Sequence, residues 1–202
     1  MVLACVCAVA CGRNGAKGQD GSGSGSGATD DTAREQARFD AERKPEKVVE
    51  ALGIKPGSRV ADIGAGSGLL TVHLARAVKP NGKVVATDID NDVLQLMYSR
   101  LQAAGLADYV ERRVVGADTP GLEPGQYDAI LLAEVDHYFT EPVGWLKAAA
   151  TALKPDGRIV ISNRNHHRTK SMAAAAKAGL KLISESSPVP THFIAVFVAD
   201  RK

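Results

Sequence analysis

Ser58-Arg59-Val60-Ala61-Asp62-Ile63-Gly64-Ala65-Gly66-Ser67-Gly68-Leu69-Leu70 is the stretch on which the fold turns. Apolar residues run into an acid, and three glycines follow at alternate positions. Leu69-Leu70-Thr71-Val72-His73-Leu74-Ala75-Arg76 then has helical spacing. A buried strand, a glycine turn and a helix are the parts of a nucleotide-binding first crossover. Glycines at the turn let the backbone bend sharply and approach a ligand with no Cβ in the way. In an open α/β sheet such a turn lies at the carboxyl ends of the strands, where ligands bind.

Working outward, strands alternate with helices. Asp30-Asp31-Thr32 offers an N-cap for a charged helix from Ala33 to Arg43, and Pro45 opens a second helix to Leu52, closed by Gly53. Arg59 to Ile63 is the first strand and Gly68 to Val78 its helix. Lys83 to Thr87 is the second strand, and Asn91 caps a helix to Ala104. Val110 to Val115 and Tyr127 to Leu132 are the third and fourth strands, and Pro142 to Leu153 is a helix. Arg158 to Ser162 is the fifth strand and Ser171 to Ala178 the last helix. Lys181 to Glu185 and Phe193 to Ala199 end the chain as a strand pair. The pattern is α/β: an open sheet with an antiparallel pair at its end.

The 202 residues, 45% hydrophobic, suit one domain with a sizeable core. The expected division is residues 1–28 as a terminal segment and 29–202 as the domain. A net charge of +2 and no long basic run argue against a nucleic-acid partner, as does an aromatic content of 4%. Cys5, Cys7 and Cys11 all precede the domain, so it has no thiol nucleophile or cysteine metal site. Val2 to Ala10 is an apolar run too short to span a bilayer. Ala8-Val9-Ala10-Cys11-Gly12 loosely resembles a bacterial lipobox, and Gly21 to Gly27 reads as a flexible tether. Two readings stay open: a lipoprotein anchored through an acylated Cys11, or a cytoplasmic protein with a disordered tail.

The glycine pattern excludes two ligand classes. A phosphate loop needs Gly-Lys-Ser/Thr, and Gly68-Leu69-Leu70 lacks it. A dinucleotide loop needs Gly-x-Gly-x-x-Gly, and Leu69 stands at its sixth position. Gly64-x-Gly66-x-Gly68 preceded by Asp62 instead resembles the first motif of the class I S-adenosylmethionine-dependent methyltransferases. The resemblance covers Pro45 to Ala199. It implies a Rossmann-like, seven-stranded, mostly parallel sheet with helices on both faces, and S-adenosylmethionine as cofactor. Asp62, with Gly64, Ala65, Gly66, Ser67 and Gly68, would serve the cationic methionine end. Asp88, ending the second strand, would accept the ribose hydroxyls, a role that fits NAD as well. Ile89 would pack on the adenine, and Asp118 would accept its amino group beside a backbone N–H at Ala117. Glu134, in the fourth motif Ala133-Glu134, would lie close to the methionine moiety.

The acceptor is expected above the ends of the fourth and fifth strands, among Glu134, Asp136, His137 and Tyr138 and, after the fifth strand, Asn163, Arg164, Asn165, His166, His167 and Arg168. Asp136 and His137 are the candidate catalytic residues, with His137 as general base. His166 and His167 are adjacent and suit a solvated loop, His73 is structural, and Trp145 is core. A metal-dependent site would want acids after both strands, and Asn163 stands at the second, so no metal is expected. No cysteine nucleophile, no Asn/Asp-Pro-Pro-Tyr/Phe motif and no inserted domain are present. A small-molecule acceptor methylated at O, N or S is left. Two alternatives are a non-catalytic adenosyl-cofactor-binding accessory protein and an NAD-linked oxidoreductase.

Overall fold

Val60 to Ile63 is buried at every position, which requires a strand covered on both faces. In the computed structural model, which describes residues 26–200, this strand is central to a seven-stranded sheet. β1 (Arg59–Ile63) pairs in parallel with β2 (Lys83–Asp88) and with β4 (Tyr127–Ala133). β3 (Val110–Val114) adds to β2, and β5 (Leu153–Arg164) adds to β4, both parallel. β7 (His192–Ala199) runs antiparallel to β5, and β6 (Leu180–Val189) antiparallel to β7. The order is β3-β2-β1-β4-β5-β7-β6. The expected mostly parallel sheet with an antiparallel final pair is the one observed.

Alternation along each strand splits the core into two layers. Val60, Ala86 and Leu131 pack with α2 (Pro45–Leu52), α3 (Thr71–Val78) and α4 (Asn91–Ala103). Ala61, Ile63 and Leu132 pack with α5 (Pro142–Ala152) and α6 (Arg168–Lys177). The chain leaves β1 toward β2 and later returns to its other side as β4. This reversal opens a crevice at the carboxyl ends of β1 and β4.

Several boundaries differ from the sequence expectation. α1 spans Ser26–Arg43, passing through Asp30-Asp31-Thr32 instead of starting after it. Buried Arg100 of α4 helps hold that helix, pairing with Glu35 and donating to the Thr32 carbonyl at 3.3 Å. Asp90, not Asn91, caps α4. Its backbone is extended and its Oδ1 accepts from Asp92 N at 2.8 Å. α3 starts at Thr71 because Gly68 is left-handed, with φ 84°. β5 and β6 both run longer than expected: β5 meets β4 at Leu153 and β7 as far as Arg164, and β6 meets β7 from Leu180 to Val189. Cys5, Cys7, Cys11, the apolar run Val2 to Ala10 and the tether as far as Gly25 lie outside the described residues. Among the described residues no helix is long and apolar enough to cross a membrane.

Candidate functional site

The glycine turn after β1 shows why three glycines are spaced by two. Gly64, Gly66 and Gly68 have φ of 64°, 56° and 84°, in the left-handed region that side chains disfavour. A Cβ at Gly64 would also lie 2.7 Å from Val135 Cγ2. Thr87 O accepts from Ala65 N at 3.0 Å, and Asp88 Oδ2 accepts from Gly66 N at 2.9 Å. Asp88 Oδ1 accepts from Asp90 N at 3.1 Å. The end of β2 therefore shapes the loop that follows β1. Arg100 Nε donates to Ser67 O at 2.9 Å, and Gln36 of α1 donates to Leu69 O at 3.1 Å. His73 is structural as expected, paired with Asp40 at 2.8 Å.

Asp62 is 2% exposed beneath this turn, and Thr71 Oγ1 donates to its Oδ2 at 2.7 Å. Burial pushes its carboxyl up to about 7, opposed by the Thr71 hydrogen bond and assisted by the nearby Asp88 charge. A small recess of about 170 Å³ joins Asp62, Gly64, Ala65, Gly66 and Ser67 to Glu134 and, from α1, Arg43.

A larger cleft of about 450 Å³ opens beside it, with Gly64, Asp88, Ile89, Ala117, Glu134 and Tyr138 in its wall. Ile89 is 65% exposed at this edge, an apolar surface that a planar ring would cover. Thr87 Oγ1 and Trp145 Nε1 belong to residues of the same wall, and both atoms are buried without a hydrogen-bond partner. Trp145 is core as expected, 4% exposed and stacked on Phe139 with ring centroids 4.2 Å apart.

Asp118 is exposed, and its Oδ1 accepts from Thr140 N at 3.2 Å. It ties the loop after β3 to the loop after β4, while Gly116, Ala117 and Thr119 line the cleft.

The geometry departs most from expectation at Asp136 and His137. Asp136 is 7% exposed, with Oδ1 accepting from Asn163 Nδ2 at 2.7 Å and Oδ2 from the Ser171 hydroxyl. Asn163 Oδ1 accepts from Arg164 N at 2.7 Å, which places the amide nitrogen toward Asp136 and His137. His137 Nδ1, 3.0 Å from that nitrogen, must accept. Neutral His137 then carries its proton on Nε2 and is a donor there, not a base. Its ring stacks on His167 with centroids 4.0 Å apart, and its neighbour Tyr138 lines the cleft. In this arrangement Asp136 and His137 join the β4 loop to β5 and α6. Asp136→Ala strips the buried Asn163 amide and Ser171 hydroxyl of their shared acceptor, leaving them only His137 Nδ1 and the His167 carbonyl. It should cost about 2–4 kcal/mol in urea unfolding; an unchanged midpoint would show that the network carries no stability.

Glu134 is one of two non-glycine residues at positive φ among the described residues, at 53°. Such strain persists where the surroundings impose it, often at working sites. Its carboxylate pairs with Arg43 and with Arg164 Nε at 3.1 Å, and lies 3.5 Å from His192 Nε2. Burial opposes its ionisation, but the two arginines and His192 hold the pKa below the usual carboxylate range. Arg43, Arg100 and His192 join the site only through the fold, whereas Tyr138 and Arg164 follow the fourth and fifth strands, where the acceptor is expected. His192 stands at the start of β7, where antiparallel pairing brings it opposite Arg164 at the end of β5. No local sequence signal marks that meeting. Among the described residues no cluster of His, Cys, Asp and Glu could hold a metal ion.

Known proteins agree with this arrangement. Residues 61–159 match the family model described as a methyltransferase domain. The ubiquinone biosynthesis O-methyltransferase of Xanthomonas campestris pv. campestris (strain B100) is 31% identical over 144 residues. That match covers 71% of this chain and 57% of the relative, so the chain spans little more than half the relative's length. The fold resembles a SAM-dependent methyltransferase from Aquifex aeolicus, with a TM-score of 0.74 at 21% identity over 83% of this chain and 96% of that one. It also resembles a geranyl diphosphate C-methyltransferase from Streptomyces coelicolor A3(2), solved with S-adenosyl-L-homocysteine, with a TM-score of 0.64 at 16% identity over 76% and 74%. With its glycine turn, strand order and cleft in place, the chain carries over residues 61–159 the methyltransferase domain of that family model, in the fold shared by these solved SAM-dependent methyltransferases.

Proposed function

We propose that this protein transfers a methyl group from S-adenosylmethionine to a small-molecule acceptor. The observation that carries the reading is the placement of Asp62, Asp88 and Glu134 around one glycine turn, with an apolar-edged cleft alongside. Bound there, the cofactor supplies an electrophilic methyl group on a sulfonium. Asp62 and Glu134 face its cationic methionine end, with Gly64 to Gly68 giving close backbone approach. Asp88 accepts from the ribose hydroxyls. Ile89 covers one adenine face, and the backbone at Ala117 meets the ring edge. Asp118 reaches the adenine amino group by turning from Thr140. The chain's task is alignment of donor and acceptor for in-line displacement. The nearly balanced charge suits no polyanion, which leaves a small acceptor.

Calorimetry with S-adenosylmethionine, S-adenosylhomocysteine and NAD tests the reading. The first two are expected to bind and NAD is not; NAD binding alone overturns it. One observation favours a second reading, a cofactor-binding protein without turnover: His137 Nδ1 and both Asp136 oxygens are already engaged. Release of S-adenosylhomocysteine in the presence of an acceptor separates the two.

A further inference from the structure

Beyond the cofactor clefts, the charges around Glu134 do not balance. One carboxylate faces two permanent cations, Arg43 and Arg164. The Arg43 side chain is 20% exposed and stays beside the glycine turn, whereas Arg164 is 61% exposed. Arg43 alone can neutralise Glu134, which leaves Arg164 as the surplus charge.

Arg164 also forms the wall of a second recess, of about 500 Å³, with Asn165, His166, Pro190, Thr191 and His192. No carboxylate lines it. His192 is 7% exposed, and its Nε2 is buried with no hydrogen-bond partner, 3.5 Å from Glu134 Oε1. Thr191 Oγ1 lies 2.8 Å from its Nδ1. Burial and then the Arg43 charge lower the His192 pKa, against the pull of the Glu134 carboxylate. Glu134 also lines both cofactor cavities, so this recess begins one side chain away from them.

We infer that the recess between the end of β5 and the start of β7 is the acceptor site, and that Arg164 binds a carboxylate there. This rests on the methyl-transfer reading and deepens it: the acceptor is a small carboxylic acid. Arg164 already holds a carboxylate, that of Glu134, through Nε at 3.1 Å. The planar guanidinium fork matches a carboxylate and can engage it at two points. Turning an exposed arginine from Glu134 to a ligand exchanges one such partner for another. A phosphate dianion fits less well, because only one cation is surplus.

The test uses the full chain saturated with S-adenosylhomocysteine, titrated calorimetrically with 3,4-dihydroxybenzoate, catechol and inorganic phosphate. Dihydroxybenzoate is expected to bind at least about tenfold more tightly than catechol. Arg164→Gln should bring the two level, and Arg164→Lys, which keeps the charge without the fork, should fall between. Equal affinities in the wild type, a preference surviving Arg164→Gln, or phosphate outcompeting dihydroxybenzoate would each overturn the inference. S-adenosylhomocysteine binding is read first in the same experiment. Its absence removes the methyl-transfer reading, whereas intact binding without carboxylate preference removes only the acceptor assignment.

Discussion

Asp88→Ala should weaken S-adenosylmethionine binding about 100-fold, since two charge-assisted hydrogen bonds are worth about 3 kcal/mol together. The effect has two sources. The variant loses the acceptor proposed for the ribose hydroxyls. It also loses the hydrogen bond from Gly66 N, at 2.9 Å, that ties the glycine turn to β2. Asp88→Asn separates them. It keeps an oxygen for Gly66 N and loses the negative charge, so its loss should be smaller, about tenfold. Calorimetry with S-adenosylmethionine measures both. An Asp88→Ala affinity within about threefold of wild type, less than one such bond is worth, would remove Asp88 from the cofactor site. The fold should survive, because Asp88 is only partly buried at the end of its strand.

Binding of S-adenosylmethionine should strengthen with pH up to about 7, because of Asp62. Buried and pushed up to about 7, its carboxyl binds a proton that the unfolded chain releases near the ordinary aspartate value of 3.8. Between those values the folded state holds more protons than the unfolded state, so stability falls as pH rises through the window and levels above it. The span corresponds to roughly 4 kcal/mol for a group this buried. Asp62→Asn should flatten that part of the stability–pH curve, measured by urea unfolding. A cationic ligand reverses the preference by favouring the carboxylate. Below about pH 7 binding must then release a proton, and affinity should climb by up to about tenfold per pH unit. Calorimetry in buffers of differing ionisation heat counts that proton. A flat affinity between about pH 5.5 and 8, with no proton release, would mean that Asp62 does not meet the charge of the ligand.

Both predictions start from residues legible in the sequence, and both magnitudes depend on surroundings that were not. Asp62 stood out because an acid before three alternate glycines is unusual in an apolar strand. That it is 2% exposed and held by Thr71 follows from packing of α3 onto β1. Asp88 stood out by ending the second strand. Its grip on Gly66 follows from parallel pairing of β1 with β2, which sets the two strand ends side by side.

The acceptor side was much less legible. Asp136 and His137 looked like an acid and a base because of residue type and place after the fourth strand. Asn163, 27 positions later, and Ser171 on α6 take up that acid and fix the histidine tautomer. Meanwhile Arg43, Arg164 and His192, from a helix and two strands far apart in the chain, converge on Glu134.

What the sequence alone determined is local and periodic. Apolar runs bounded by glycine and proline turns specify strands and helices in α/β alternation. The spacing Gly64-x-Gly66-x-Gly68 specifies a backbone that only residues without a Cβ adopt easily, and hence the kind of ligand it admits. These features depend on neighbours a few residues away and on burial pattern. Only the tertiary structure decided which polar groups meet. A hydrogen bond or ion pair requires atoms within about 3 Å, and the antiparallel return of β7 beside β5 brings His192 and Arg164 to the end of β4. The spare charge of Arg164, the occupied state of Asp136 and the burial of Asp62 all come from such meetings, and no spacing within the chain encodes them.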